Sequence, residues 1–174
     1  MLKILQRLCL LILLSGFLMS CAAVTPYHPR AHYALVEKSL RQITFFDENR
    51  VPIQQFHVAI GRESVGHKQT QGDMKTPEGV YRLSPARVSE SGWGWFMPIG
   101  YPNQKDVNDA IARGQDLSTL GGNVGLHGTG RRLKHKNWQN AGINWTLGCL
   151  AVDNADLEVI RHMVPSAIAI EIMP

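Results

Sequence analysis

Short alternating runs of apolar and polar residues dominate the chain, separated by polar, Gly- and Pro-rich segments. Tyr33 to Val36 and Gln42 to Phe46 carry β-branched and aromatic residues at strand spacing. Asp47-Glu48-Asn49-Arg50 reads as a turn, and Ile53 to Ile60 as the next strand. Gly61 to Glu78 is polar and Gly-containing, so it reads as a long loop before a strand at Gly79 to Leu83. Residues 85 to 103 hold Trp93, Trp95, Phe96, Tyr101 and three prolines in no clear period. Val107 to Arg113 predicts a short helix closed by Gly114. Asn123 to Leu126 reads as a strand running into His127. A second helix is expected from Asn154 to Met163, capped by Asp153. Its Leu157, Ile160, Met163 and Val164 form one apolar face, and Pro165 follows its end. Ala167 to Ile172 predicts a closing strand. The pattern is mainly β with one or two short helices, in a sandwich-like or barrel-like arrangement. No internal repeat or low-complexity tract interrupts it.

The N-terminus follows a different pattern. Lys3 and Arg7 precede an apolar run from Leu8 to Met19, and the first acidic residue is Glu37. A run this short falls well below the roughly 20 residues that span a bilayer. A basic start, a short apolar core and small residues after it mark a secretory signal peptide over 1–21, with a short uncleaved anchor as the other reading. Leu18-Met19-Ser20-Cys21 resembles a bacterial lipobox, in which Cys21 would be lipidated and anchor the protein to a membrane. Ordinary cleavage after Ala22 or Ala23 is the alternative. Residues 22–31, with two prolines, read as a tether, and 32–174 as one domain. About 150 residues is enough for a real core. The expected location is the periplasm or cell envelope, with outer-membrane anchoring if Cys21 is modified.

Charge narrows the partners. The full chain has 18 basic and 14 acidic residues. Without Lys3 and Arg7, 16 basic residues face the same 14 acids, a balance that gives no case for nucleic-acid binding. The basic run Arg131-Arg132-Leu133-Lys134-His135-Lys136 reads as a solvated loop or as a lid over an anionic peptide.

Three cysteines are present, Cys9, Cys21 and Cys149. Cys9 lies in the leader and Cys21 at its end, so Cys149 has no intramolecular partner after processing. An unpaired thiol in an oxidising compartment is either a buried, inert side chain or a reactive one. Histidine is the natural partner of a nucleophilic thiol. Of the seven histidines, at 28, 32, 57, 67, 127, 135 and 162, His127 has the distinctive setting Gly125-Leu126-His127-Gly128-Thr129-Gly130. A metal site built from His127, His135 and Cys149 matches no standard zinc spacing.

His127-Gly128-Thr129 followed by Thr146-Leu147-Gly148-Cys149-Leu150 resembles the L,D-transpeptidase (YkuD-type) catalytic domain. Gly72-Asp73-Met74-Lys75-Thr76-Pro77-Glu78-Gly79 is similar to that family's upstream segment. The resemblance implies a β-sandwich-type catalytic domain and a cysteine acyltransferase working on peptidoglycan stem peptides through an acyl-thioester at Cys149, and it implies no metal or cofactor. His127 would be the general base and later the acid. Gly128 would orient the imidazole through its carbonyl, and Thr146, Leu147 and Gly148 would shape an oxyanion pocket with the Cys149 N–H. The family often has His or Arg where this chain has Leu147, and Arg or Asn where it has Ala151. With Gly66-His67-Lys68 and the run Trp145 to Val152, these departures resemble a YafK-like branch. That branch implies hydrolysis of the amide between diaminopimelate and a lysine of peptidoglycan-bound lipoprotein. An L,D-carboxypeptidase and a non-enzymatic peptidoglycan-binding lipoprotein are the remaining alternatives.

Overall fold

A computed structural model describes residues 28–92, 94–130 and 142–174. In chain order the elements are β1 (Tyr33–Glu37), β2 (Gln42–Phe46), β3 (Pro52–His57), β4 (Gly79–Leu83), β5 (Arg87–Val88) and β6 (Trp95–Pro98). There follow α1 (Gln104–Ala112), a 3-10 turn (Leu117–Thr119), β7 (Gly125–His127), β8 (Leu150–Ala151), α2 (Asn154–Met163) and β9 (Ile168–Met173). The leader, Cys21, most of the tether, Trp93, the basic run 131–136 and His135 lie outside the described residues.

Two mixed sheets form, in the orders β3-β2-β1-β9-β4 and β5-β6-β7-β8. The closing strand β9 lies between β1, which it pairs in parallel (Ala34↔Ile170), and β4, which it pairs antiparallel (Tyr81↔Ile170). Its alternation explains the placement: Ile168, Ile170 and Ile172 point into the core while Ala169 and Met173 face out. Ala34 and Val36 of β1 and Tyr81 and Leu83 of β4 continue the same buried layer. The second sheet adds Met97, Leu126 and Leu150 to one shared core, and α2 closes it with Leu157, Ile160 and Met163. Each such side chain contributes about 1.5–3 kcal/mol by leaving water.

The expected elements appear, with shifted ends. β3 stops at His57 rather than Ile60, because residues 59–61 leave their sheet and bridge the cysteine loop through Ala59↔Ala151 and Gly61↔Thr146. The helix expected from Val107 begins at Gln104, because Asn103 and Asp106 form a reciprocal capping box. Arg113 is its C-cap, and Gly114 follows with φ of 67°. Asp153 occupies the N-cap position of α2 in extended conformation, but its side chain makes no capping hydrogen bond. The strands β5, β6 and β8 were not legible in the pattern. No described helix is long and apolar enough to cross a membrane.

Candidate active site

His127 ends β7, the strand between β6 and β8 (Phe96↔His127, His127↔Ala151). The side chain is 4 % exposed. Its Nδ1 lies 2.7 Å from the Gly128 carbonyl oxygen. A carbonyl only accepts, so Nδ1 carries the proton and Nε2 is the basic nitrogen. Burial lowers the imidazole pKa below its ordinary value, with the Gly128 carbonyl pulling the other way. The Trp145 ring meets the imidazole edge-on at 5.7 Å.

The latch on His127 has its own support. Asn154, the first residue of α2, accepts from the Gly130 N–H and donates to the Gly130 carbonyl, both at 3.2 Å. Gly128 fits beneath this clamp because it has no side chain. A Cβ there would lie 2.2 Å from Asn154 Oδ1. Asn154 was not foreseen as part of the site, since nothing near it in sequence marks a contact with the histidine turn.

Cys149 immediately precedes β8 (Leu150–Ala151), the parallel neighbour of His127's strand. Its Sγ–H points to the Asn123 carbonyl at 3.8 Å. Burial pushes the thiol pKa up, while the Gly125 amide and the Lys68 ammonium draw it down by less. At neutral pH the pair therefore rests as thiol and neutral imidazole rather than as an ion pair.

The loop before the cysteine is held by Thr146, which is 4 % exposed. Its hydroxyl donates to the Cys149 carbonyl at 2.7 Å and accepts the Gly148 N–H at 3.2 Å. Its backbone bonds Ile60 and Arg62. Gly148 has φ of 129°, and a Cβ would lie 2.7 Å from the Lys75 carbonyl oxygen, so only glycine suits it. The Gly148 N–H is already engaged by Thr146, and Leu147 is 66 % exposed at a cavity rim. Ala151, by contrast, is fully buried, exchanging two backbone hydrogen bonds of 2.8 Å with Ala59 beside Trp145. Its side chain therefore makes no surface for a substrate.

Two cavity lobes meet at Cys149 and Asn123. The smaller, about 140 Å³, is lined by His127, Arg87, Glu90 and Phe96. The larger, about 660 Å³, is lined by Lys68, Gln71, Met74, Val124 and Leu147. Phe96 thus walls the site while remaining largely buried, whereas Trp95 packs against the core with Arg161 over its ring.

Lys68 and Asp73 bring the upstream loop into the site. Lys68 is 4 % exposed, and its ammonium bonds the Thr70 carbonyl at 2.9 Å and Asp73 at 2.8 Å. Asp73 also accepts from the Gln69, Thr70 and Lys75 amides. Burial would raise the Asp73 pKa, but Lys68 and these amides together hold it below the usual range. Thr76 accepts the Gly61 N–H at 2.9 Å, joining the same loop to the segment that flanks Cys149. His67 accepts the Glu78 N–H on Nδ1 and reaches buried Asp106 through Nε2. Among the described residues no group of three or more His, Cys, Asp or Glu side chains is placed to hold a metal ion.

Two mixed sheets thus bring a latched histidine, at the end of one strand, and a thiol, just before the parallel neighbouring strand, to one cleft. The chain belongs to the L,D-transpeptidase catalytic domain family, whose model (YkuD) matches residues 31–172. That model describes a catalytic domain. The fold is similar to that of the helical cell shape determining protein Pgp2 from Campylobacter jejuni, at TM-score 0.62 and 19 % identity, over 84 % of this chain and 49 % of that one. It is also similar to an L,D-transpeptidase from Stackebrandtia nassauensis, at TM-score 0.50 and 12 % identity, over 90 % and 62 %. The chain spans about half the length of Pgp2. A search of the curated proteins finds no match.

Proposed function

We propose that the protein is a peptidoglycan-modifying cysteine acyltransferase in which Cys149 is the nucleophile and His127 the general base and acid. The observation that carries this reading is the Nδ1–H bond from His127 to the Gly128 carbonyl, which leaves Nε2 as the base in a lobe shared with Cys149. As a stem-peptide carbonyl at the L-centre of a diamino acid enters, the Cys149 proton moves to His127 Nε2 and Sγ bonds the carbonyl carbon. The Cys149 N–H is the proposed oxyanion donor, with Thr146, Leu147 and Gly148 shaping its loop. The tetrahedral intermediate collapses as His127 gives its proton to the leaving amine, and an acyl-thioester remains.

In the second half, His127 takes a proton from the acceptor, which bonds the carbonyl carbon as the thiolate leaves and is reprotonated. An amine acceptor gives transpeptidation. Water gives hydrolysis, including release of a lysine-linked lipoprotein. We place the enzyme in the periplasm, exported by the 1–21 leader and held by lipid if Cys21 is modified.

Incubating the protein with purified sacculi and profiling the muropeptides by mass spectrometry tests this reading. New cross-links, shortened stems or released lipoprotein peptide identify the acceptor. Cys149→Ala is expected to abolish every change, and His127→Ala to slow it by about 10²–10⁴-fold. Product formation by Cys149→Ala refutes the reading.

A further inference from the structure

The described part of the chain buries two lysines, and they are not equivalent. Lys38 is surrounded by acceptors: the Gly66 carbonyl at 2.9 Å, Glu78 at 2.6 Å and the Thr76 carbonyl at 3.5 Å. Its three N–H donors are matched, and it ties β1 to the upstream loop. Lys68 has only two acceptors, Thr70 and Asp73. Its third N–H meets no oxygen or nitrogen acceptor among the described residues, where the Tyr101 ring lies 5.9 Å from Nζ, although the side chain is as well buried as that of Lys38. A buried ammonium with an unmatched donor is costly unless a ligand completes it.

The surroundings specify that ligand. Lys68 lines the larger lobe, and its Nζ lies 3.9 Å from where a Cβ on Gly148 would sit, beside the cysteine loop. Among the described residues no carboxylate lines that lobe. Asp73 is not part of that lining, and its oxygens are already taken by three backbone amides as well as the ammonium. The lobe thus presents a cation without an anion facing it. Met74, Val124 and Leu147 line the same lobe and give it an apolar surface suited to methylenes.

The smaller lobe holds His127, so the amine that receives or supplies its proton belongs there, and the acyl group belongs in the larger one. We infer that Lys68 is the specificity residue for the acyl donor, binding a free carboxylate at the far end of an aliphatic diamino acid whose near carbonyl is attacked by Cys149. This rests on the acyl-transfer reading above. It implies selection of a diaminodicarboxylic residue over the same residue amidated, or over a lysine without the second carboxylate.

The test measures acylation of Cys149 by intact-protein mass. It uses two stem tetrapeptides that differ only in whether the side-chain carboxylate of diaminopimelate is free or amidated. The wild type should acylate about 10- to 100-fold faster with the free acid, the range of one charge-assisted hydrogen bond. Lys68→Gln should bring that ratio close to one, and Lys68→Arg should keep a reduced preference. A merely structural role would slow both donors alike and leave the ratio intact, which would overturn the inference. If Lys68→Gln does not fold, the wild-type ratio and Lys68→Arg decide, and a wild-type ratio near one is equally fatal. Equal acylation by both donors removes the role of Lys68 and leaves the proposed function standing. Acylation by neither removes both.

Discussion

Replacing Thr146 by Val keeps the shape of the side chain and removes one hydroxyl. That hydroxyl donates to the Cys149 carbonyl at 2.7 Å and accepts the Gly148 N–H at 3.2 Å. Each bond is worth about 1 kcal/mol net, and the Gly148 N–H would be left without its partner in a buried position, so the loss should be about 2 kcal/mol. For a domain of this size that is roughly 4–8 °C in melting temperature. The same bonds set the direction of the peptide units on either side of Gly148. Misplacing the reacting sulfur by about 1 Å costs on the order of 10²-fold in rate. Thr146→Val should therefore lower both the urea midpoint and the rate of Cys149 acylation by a β-lactam electrophile. Thr146→Ser, which keeps the hydroxyl, should recover most of both. If Thr146→Val melts within a degree of wild type and acylates at the same rate, the hydroxyl does not hold the loop.

Three further outcomes follow from the same geometry. Iodoacetamide alkylation of Cys149 should rise along one limb centred above the ordinary thiol value of 9.0, because burial outweighs the Gly125 and Lys68 effects; a reactive plateau reaching below pH 7 would mean a resting ion pair. His127 is buried neutral with a depressed pKa, so the unfolded state takes up a proton near pH 6.5 that the native state does not. Its contribution to stability is present above pH 6.5 and is lost as pH falls through the lower native value, and His127→Gln should flatten that part of the urea-midpoint profile. Asn154→Ala removes both bonds to Gly130 and should cost about 1–2 kcal/mol by urea denaturation, with acyl transfer falling further than thiol alkylation because only the histidine side is loosened.

The parts of the molecule legible in sequence are those where one face alternates or repeats. β9 was readable from Ile168, Ile170 and Ile172, and α2 from Leu157, Ile160 and Met163, because those residues share one core. β5 and β8 have two residues each, and β6 has four and ends in a proline, so none offers a period to read. The same limit governs the site. His127 and Cys149 can be picked out as candidates from the glycines beside them, Gly128 packed under Asn154 and Gly148 at a φ of 129°. Lys68 and Asn154 reach the site only through tertiary folding, one from the upstream loop and one from the start of α2. Ala151 illustrates the converse, since a position that looked like a missing substrate contact is packed against Ala59 and Trp145. Gly66-His67-Lys68 was visible as a motif, but its division of labour, with His67 anchoring on Asp106 and Lys68 facing the cavity, needed the structure.

The most direct measurement is the mass of the intact protein after brief mixing with a stem tetrapeptide, followed by peptide mapping. The acyl-transfer mechanism predicts a labile adduct equal to the donor acyl group, located on Cys149, absent from Cys149→Ala and slow to form in His127→Ala. Turnover of the donor with no adduct on Cys149, undiminished in Cys149→Ala, would contradict it.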